Sequence, residues 1–428
     1  MNITLISLGC SKNLVDSEIL IGGLKKHDCK VVPSIDGADT VIINTCGFLD
    51  TAREESINQI LDIVSLKEQN KVKKIIVMGC MSERYANDMR KEIPEVDAFY
   101  GTTDHNEIIG FITGKPFSKL DPDYNRSVLT PKHYAYLKIA EGCDNGCTFC
   151  SIPLMRGLQK SQPISWNHKE ALRLANQGAK ELLVIAQDST SYGWDLNPRV
   201  GLHDLMDELN TIESLEWIRL HYAHPAHLHT KMIDRFKILD RLIPYIDMPV
   251  QHGSDRMLKL MRRGLKTEGI LKKIDALRNA NDQIAIRTSI IVGFPGESDQ
   301  DFEDLYRFVE QSQFDRLGVF TYSEEDGTYG AQHLKDDVPK KIKNQRMDDI
   351  MLLQQKISLE KNKQLIGTSQ KILVDATTED GYSICRTYRD APEIDNYVRV
   401  DEILEPGKFY EVDIKEAYPY DLLAKVKN

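Results

Sequence analysis

Three short apolar stretches near the start of the chain each end directly in a cysteine. The strings NITLISLGC, ADTVIINTC and KKIIVMGC end in Cys10, Cys46 and Cys80. Each string is rich in β-branched residues and predicts a buried strand, and the segments 11–27, 51–69 and 82–91 predict helices. Alternating strands and helices form a parallel sheet, in which all strand carboxyl ends lie along one edge. We therefore expect three cysteines far apart in sequence to meet at one edge of an α/β sheet.

A second set of three cysteines lies close together in the string EGCDNGCTFCSIP. Cys143, Cys147 and Cys150 have the spacing Cys-x3-Cys-x2-Cys. A closed structural zinc site or a fully ligated iron–sulfur cluster needs four protein ligands. Three thiolates on a 4Fe–4S cluster instead leave one iron open to a small molecule. The pattern therefore indicates an iron–sulfur site that also binds a ligand.

Two other interpretations of this triad are ordinary thiols and a zinc site with a remote fourth ligand. Three cysteines within eight residues of a chain that has eight in total disfavour the first. Zinc sites usually show a second Cys or His pair at finger or ribbon spacing, and none follows. One cysteine at a strand end is explained by packing, but three at equivalent positions favour a second cluster. Cys29 and Cys385 lack either context and are expected to be plain thiols.

The triad resembles that of the radical S-adenosylmethionine (SAM) superfamily. In that superfamily the open iron binds the amino and carboxylate groups of SAM. The resemblance implies an enzyme with SAM and a 4Fe–4S cluster as cofactors.

Length and composition favour a multidomain enzyme of a reducing compartment. A chain of 428 residues is expected to form two to four domains. The sequence shows no apolar run of membrane-spanning length and no signal-peptide core, so no membrane association is expected. Unpaired thiols need a reducing environment, which predicts the cytoplasm. The net charge of −10 favours a basic macromolecular partner or a small substrate over nucleic acid.

The chain divides into three domains joined by one linker. We expect an N-terminal α/β domain (1–113), a turn-rich linker (114–132), a central domain with a long connecting helix (133–363) and a C-terminal domain (364–428). Six strands in one βα series predict a partial (β/α)6 barrel for the central domain, with function at the carboxyl ends of its strands. The C-terminal domain is β-rich with regular turns, which predicts a small antiparallel β-barrel. From Leu365 onward it has eight Lys or Arg against thirteen Asp or Glu.

Polar residues are concentrated where the barrel mouth is predicted. The superfamily resemblance implies that Gln187 and Asp188 meet the methionine end of SAM, and that Arg287 and the segment from Gly293 to Glu297 flank its ribose and adenine. Phe149, between two of the cysteines, would shield the cluster or contact adenine. Simpler explanations remain open, because Gln187 and Asp188 could cap the next helix and Gly293 could only form a turn.

The order of domains and their motifs resembles the methylthiotransferase family. The strings carrying the resemblance are SLGC, SKN and VDSE at residues 7–18, with Asn44-Thr45-Cys46 and Met78-Gly79-Cys80. In this family the C-terminal barrel is the TRAM domain. One branch modifies an adenosine of tRNA and typically has Gly-Cys-Gln-Met-Asn, where this chain has Gly-Cys-Ser-Lys-Asn at residues 9–13. The latter resembles the branch that modifies an aspartate of small-subunit ribosomal protein S-twelve.

The resemblance also implies a mechanism and partners. An electron from a donor such as a flavodoxin or ferredoxin would enter the Cys143, Cys147 and Cys150 cluster and cleave SAM to methionine and a 5′-deoxyadenosyl radical. The radical would remove hydrogen from the aspartate β-carbon, which no general base could ionise. Sulfur would come from the Cys10, Cys46 and Cys80 cluster and ultimately from a sulfur source, and a second SAM would supply the methyl group. The alternatives are a tRNA adenosine methylthiotransferase and a non-catalytic iron–sulfur scaffold.

Overall fold

The N-terminal domain is a parallel sheet covered by helices on both faces. The computed structural model describes residues 2–114 and 126–427. The first of these ranges contains β1 (Asn2–Ser7), α1 (Ser11–Lys26), β2 (Lys30–Val31), β3 (Thr40–Thr45), α2 (Asp50–Glu68), β4 (Lys74–Gly79), α3 (Cys80–Glu92), β5 (Ala98–Phe99) and α4 (His105–Thr113). The strand order is β2-β1-β3-β4-β5, and every pairing is parallel. Central strand β3 is buried along its whole length, which explains its continuous apolar run.

The central domain is a six-stranded parallel sheet surrounded by helices. Its elements are β6 (Tyr134–Lys138), β7 (Ala140–Glu141), α5 (Ile152–Arg156), β8 (Lys160–Ser161), α6 (Ile164–Asn176), β9 (Glu181–Ile185), α7 (Leu202–Leu209), β10 (Trp217–Leu220), α8 (Thr230–Ile238), β11 (Leu242–Asp247), α9 (Asp255–Leu260), α10 (Thr267–Ala280), β12 (Ala285–Val292), α11 (Asp299–Ser312), β13 (Arg316–Thr321), α12 (Tyr329–His333) and α13 (Lys340–Lys363). The order β13-β12-β11-β10-β9-β6 leaves the sheet open between its first and last strands. This is the predicted partial barrel.

One central strand begins earlier than its sequence pattern indicates. The apolar run predicts a strand over 245–248, whereas β11 already begins at Leu242. Pro244 lies within it, and proline normally argues against a strand interior because it cannot donate a ladder hydrogen bond. The pairing with β10 shifts register between Ile218 and Leu220, so a bulge accommodates the proline.

The C-terminal domain is a closed five-stranded barrel, as predicted. Its strands are β14 (Ser369–Thr377), β15 (Ser383–Thr387), β16 (Tyr397–Val400), β17 (Phe409–Ala417) and β18 (Asp421–Val426). They close in the order β14-β15-β16-β18-β17, and only the β16–β18 pairing is parallel. The small barrel has its own apolar core, which includes Ile372, Val398 and Val412. Cys385 lies in this core.

The small barrel packs against the N-terminal ends of the central strands. Trp217 and Ala285, the first residues of β10 and β12, contact Leu373 and Ala391 of the small barrel in one apolar cluster. The C-terminal domain therefore covers the end of the central barrel that lies opposite the predicted mouth.

Buried ion pairs extend this contact between the two domains. Glu181 of β9 accepts from Arg219 Nε at 2.6 Å and pairs with Arg386 at 2.8 Å. Arg316 pairs with Asp390, and Tyr245 donates to Asp395 at 2.7 Å. Since these groups are fully or almost fully buried, the interface is a fixed part of the fold.

The predicted linker lies partly outside the described residues, because positions 115–125 fall between the two described ranges. At its described end, Arg126 is buried and pairs with Glu18 of α1 at 2.9 Å. Within the described ranges, no helix combines the length and apolar character needed to cross a bilayer.

Candidate active site at the domain interface

A single cavity lies between the N-terminal domain and the mouth of the central barrel. Its volume is about 370 Å³, and both sets of cysteines line it: Cys10, Cys46, Cys80, Cys143, Cys147 and Cys150. The first set belongs to loops and helix starts after β1, β3 and β4, and the second to the loop after β7. Two distant parts of the chain thus face each other across one partly open cavity.

Glycines allow the N-terminal cysteines to approach one another. Gly9 has φ +87°, and a Cβ atom on it would lie 2.8 Å from the Cβ of Cys46. A Cβ on Gly47 would lie 2.7 Å from the backbone carbon of Cys80. Side chains at either position would force the strand ends apart, so these glycines set the spacing of the three thiols.

Asn13 holds the ends of β1 and β3 together beneath these thiols. Its side-chain amide donates to the carbonyl oxygens of Leu8 and Thr45, each at 3.0 Å. Its side-chain oxygen accepts from Cys80 Sγ at 3.5 Å and from Arg156. The asparagine of the Ser-Lys-Asn string is therefore a positioning residue for the cysteines.

The second set of cysteines lies in a tight loop anchored to the barrel. Cys143 donates its backbone N–H to the carbonyl of Gly157 at 3.1 Å. The backbone N–H of Asn145 donates to Cys143 Sγ at 3.5 Å, and its side-chain amide donates to Asp188 at 2.9 Å. The loop is therefore tied both to Gly157, which follows α5, and to the segment after β9.

Burial strongly favours the neutral form of most of these thiols. It raises the pKa of Cys80 and of Cys150 to about 12 and that of Cys143 to about 11. The charge of Arg156, whose Nε lies 3.3 Å from Cys80 Sγ, acts in the opposite direction on the pKa of Cys80. Arg263 Nη1 lies 3.1 Å from Cys147 Sγ. Iron binds thiolates, so cluster assembly here must release protons.

The donor sets suit clusters with several metal ions. Among the described residues, no three His, Cys, Asp or Glu side chains lie close enough together to hold one metal ion. In a 4Fe–4S cluster each thiolate binds a different iron, so three thiols spaced around a common cavity are the appropriate arrangement. Both cysteine sets have their three thiols arranged in this way.

Of the SAM-contact candidates predicted from sequence, Phe149 and Gln187 line the cavity. The Gln187 side-chain amide donates to Glu141 Oε1 at 2.6 Å, whereas its own Oε1 is buried without a hydrogen-bond partner among the described residues. That oxygen is available to an amino group of a ligand. Asp188 lies behind the loop and accepts from Asn145, Thr190 and His227, so it supports the cysteine loop.

The structure does not bring Arg287, Gly293 or Glu297 to this cavity. Arg287 is bound by Asp247 at 3.0 Å and by Asp395 of the C-terminal barrel at 3.2 Å. The Glu297 carboxylate accepts from the backbone N–H of Gly293 at 2.7 Å and pairs with Arg346 at 2.8 Å. These residues hold a turn and a domain contact.

Three further cavity residues follow central strands, where the sequence predicts polar side chains at the mouth: Tyr222, Gln251 and Glu325. The sequence assigns no role to four others, which are Lys12, Asn145, Arg156 and Arg263. Each of these four reaches the cavity through the docking of distant segments, which no periodic pattern records.

Three family profiles match the chain in the order of its domains. "Uncharacterized protein family UPF0004" matches residues 2–101, "Radical SAM superfamily" matches 137–309 and "TRAM domain" matches 366–426.

The chain is also similar over its whole length to curated proteins called "Ribosomal protein uS12 methylthiotransferase RimO". The one from Prosthecochloris aestuarii is 45% identical, with 100% of this chain and 98% of that protein covered. Those from Christiangramia forsetii and Clostridioides difficile are 46% and 42% identical, with 100% of this chain and 94% and 99% of those proteins covered.

Solved structures share the fold at low sequence identity. The radical SAM methyltransferase TsrM from Kitasatospora setae, with cobalamin and a [4Fe-4S] cluster bound, gives a TM-score of 0.58 at 11% identity and covers 90% of this chain and 80% of its own. The cobalamin-dependent SAM radical enzyme OxsB gives 0.53 at 12% identity, covering 82% and 56%. On the full-length similarity to the curated proteins and the three profiles, this chain belongs to the RimO family of methylthiotransferases within the radical SAM superfamily.

Proposed function

We propose that this chain adds a methylthio group to the β-carbon of an aspartate of ribosomal protein uS12. One observation carries the proposal: both three-cysteine sets line the same cavity between two domains. The curated relatives that are named for this activity are similar to this chain over its full length. In the reaction a C–H bond of the substrate is broken and a C–S bond is formed.

Each set of cysteines has its own part in this proposal. Cys143, Cys147 and Cys150 hold a 4Fe–4S cluster with an open iron for SAM, and Cys10, Cys46 and Cys80 hold the second cluster. With these groups bound, the site supplies one-electron cleavage of SAM and sulfur for the new bond. Gln187 offers its buried oxygen to the bound ligand, and Phe149 packs against Cys147 and Cys150. Arg156 and Arg263 balance the negative charge of the thiolates.

One buried carboxylate holds the N-terminal domain against the mouth of the central barrel. Glu325, in the loop after β13, accepts from the Leu49 backbone N–H at 2.9 Å and pairs with Arg53 and Arg84 of the N-terminal domain. Ser151, next to the last cysteine of the triad, donates to the same carboxylate at 2.8 Å. The Glu325 carboxylate thereby joins the segments that carry the two cysteine sets.

The decisive experiment tests the two cysteine sets separately. The anaerobically reconstituted chain should bind roughly eight iron atoms. With SAM and a reductant it should add a methylthio group to uS12, which mass spectrometry detects. Cys46→Ala should still form 5′-deoxyadenosine but no methylthio product, whereas Cys147→Ala should form neither. Cys29→Ala, a thiol outside the cavity, is the matched control and should behave as wild type.

Two results of this experiment would overturn the proposal. Full product formation by Cys46→Ala would make the N-terminal set structural. Modification of tRNA with none of uS12 under the same conditions would assign the chain to the other branch of methylthiotransferases.

We further propose that exposed carboxylates of the C-terminal barrel attract the basic ribosomal protein. Glu402 and Glu411 are exposed and form no ion pair among the described residues. Deleting the barrel would uncover buried charges such as Glu181 and Arg219, so charge removal is the cleaner test. The Glu402→Gln/Glu411→Gln pair should weaken uS12 binding at low salt and lessen its salt dependence, because exposed opposite charges are screened. The pair Asp282→Asn/Glu310→Gln, on the outside of the central domain, should leave both unchanged.

A further inference from the structure

An ammonium group lies inside the cavity with no carboxylate partner among the described residues. Lys12, the second residue of α1, is only 6% exposed and lines the cavity. Its Nζ lies 2.9 Å from the centroid of the Tyr222 ring. In the described part of the chain, Lys12 forms no side-chain hydrogen bond and no ion pair with a carboxylate. The N-terminal domain thus extends a cation across the cavity to the wall of the central barrel.

Placing an ammonium group there costs free energy unless an anion binds to it. Removing an ammonium from water carries a large desolvation penalty when no opposite charge compensates it. The face of an aromatic ring offsets only part of that penalty. The Lys12 ammonium therefore lies where an anion brought from outside would be bound most strongly.

The two cysteine sets already have cations of their own. Arg156 contacts Cys80 Sγ and pairs with Asp16 and Glu141, while Arg263 contacts Cys147 Sγ and the carbonyl of Pro249. Lys12 makes no comparable contact with a cysteine sulfur. It is an additional positive charge, and it points to a ligand other than the thiolates.

The wall opposite Lys12 is held in an unusual backbone conformation. Tyr222 has φ +58° and Gln251 has φ +78°, both in the left-handed region that side chains other than glycine rarely adopt. The backbone of Tyr222 is held there, since its carbonyl accepts from Ser189 at 3.0 Å and its N–H donates to Asp247 at 3.3 Å. Strained residues fixed by their surroundings cluster at functional sites. The Tyr222 ring is therefore a fixed platform for the ammonium.

We propose that Lys12 binds the side-chain carboxylate of the aspartate that becomes modified, and that it determines the enzyme's specificity for an acidic side chain. This inference rests on the proposed function. The reacting β-carbon is bonded directly to the carboxylate carbon, so holding the carboxylate also fixes the position of the C–H bond that must break. Lys12 acts by binding and orienting the substrate, and its ammonium takes no part in bond breaking.

The test compares uS12 with a uS12 variant in which the modified aspartate, located by mass spectrometry, is replaced by asparagine. Both are titrated against full-length reconstituted enzyme, and methylthio transfer is measured for each. Wild type should favour the aspartate form by roughly 10- to 100-fold, the range expected for a hydrogen bond to a charged group. Lys12→Met should lose this discrimination, and Lys12→Arg should restore part of it. Lys26→Met, an exposed lysine on the same helix, should match wild type.

Three further readouts separate this role from others. Iron content, the electron paramagnetic resonance spectrum of the clusters and 5′-deoxyadenosine formation without uS12 should be unchanged in Lys12→Met. Changes in those readouts, with aspartate discrimination retained, would overturn the proposal and assign Lys12 to the clusters. Retained discrimination with nothing else altered would also overturn it. Since wild type must modify uS12 in every comparison, failure of the proposed function is recognised separately by the absence of any product.

Discussion

At the scale of single residues, Arg156 connects the two halves of the site. Its guanidinium pairs with Asp16 of the N-terminal domain at 3.0 Å and with Glu141 of the central domain at 2.9 Å, and it contacts Cys80 Sγ. Burial opposes its charge, but Asp16, Cys80 and Glu141 hold the pKa of Arg156 well above its usual value. Burial likewise opposes the charge of Glu141, yet Lys138 and Arg156 keep its pKa far below the usual range. The Arg156 guanidinium is therefore charged, and it has an anionic partner in each of the two domains.

Replacing Arg156 should therefore be severe even before metal is bound. Arg156→Met leaves the buried Asp16 and Glu141 carboxylates with one cation fewer, and it should lower the free energy of unfolding of the metal-free chain by roughly 3–5 kcal/mol. Arg235→Met, which breaks the more exposed pair with Asp207, should cost about 1 kcal/mol or less. Urea unfolding of both variants measures this. Equal losses in the two variants would contradict the role given to Arg156.

At the scale of elements, β14 and β15 join the C-terminal barrel to the central one through charge. Asp375 of β14 accepts from Arg386 Nε at 2.6 Å and lies 2.9 Å from His133 Nε2. Burial would raise the pKa of Asp375, but the hydrogen bond to His133 and the charge of Arg386 outweigh it and lower that pKa. The interface therefore depends on an ionised carboxylate.

The stability of this interface should therefore depend on pH in the acidic range. Because the folded pKa of Asp375 is below its unfolded value, its stabilising contribution is complete above about pH 4 and is lost as the pH falls through the folded value. Asp375→Asn should lower stability at neutral pH and flatten the decline below about pH 4. Tryptophan fluorescence during urea unfolding reports on it, because Trp217 packs against Phe409 there. Asp282→Asn should follow wild type, and an unchanged acid slope in Asp375→Asn would refute the assignment.

At the scale of the whole molecule, the N-terminal domain and the C-terminal barrel occupy opposite ends of the central one. The first covers the carboxyl ends of the strands, where both cysteine sets meet. The second covers their amino ends. The Glu325 carboxylate, only 1% exposed, ties the first contact together through Arg53, Arg84 and Ser151.

Loosening this contact should uncouple SAM cleavage from methylthio transfer. Glu325→Gln should raise amide hydrogen exchange in segments 46–53 and 148–152 by about tenfold or more, because two buried guanidinium groups lose their anion. Methylthio transfer should fall further than 5′-deoxyadenosine formation. Glu324→Gln, exposed and adjacent, is the matched control. A parallel fall in both products with unchanged exchange would show that Glu325 does not hold the domains.

Local sequence patterns predicted much of the fold. The charged segment 340–363, with apolar residues at Ile350, Leu353 and Ile357, predicts a helix, and α13 has the same bounds. Helix α1 ends one residue before the predicted helix 11–27. The strand-then-cysteine pattern leads to one sheet edge because parallel topology leaves all carboxyl ends on the same side. Arg287 shows the limit of such reasoning. It lies five residues before the end of β12, roughly 16 Å from the mouth, since a strand rises about 3.3 Å per residue.

The sequence by itself determined the three domains, their order and the two cysteine sets, because periodicity, turn residues and ligand spacing are local properties of the chain. Only the tertiary structure showed the cavity that both sets line, the small barrel over the other end of the central domain, and Lys12 against Tyr222 with no carboxylate partner among the described residues. Those facts depend on how domains dock. Docking is set by pairs such as Arg156–Asp16 and Glu325–Arg53, which are 140 and 272 residues apart and leave no mark on any local pattern.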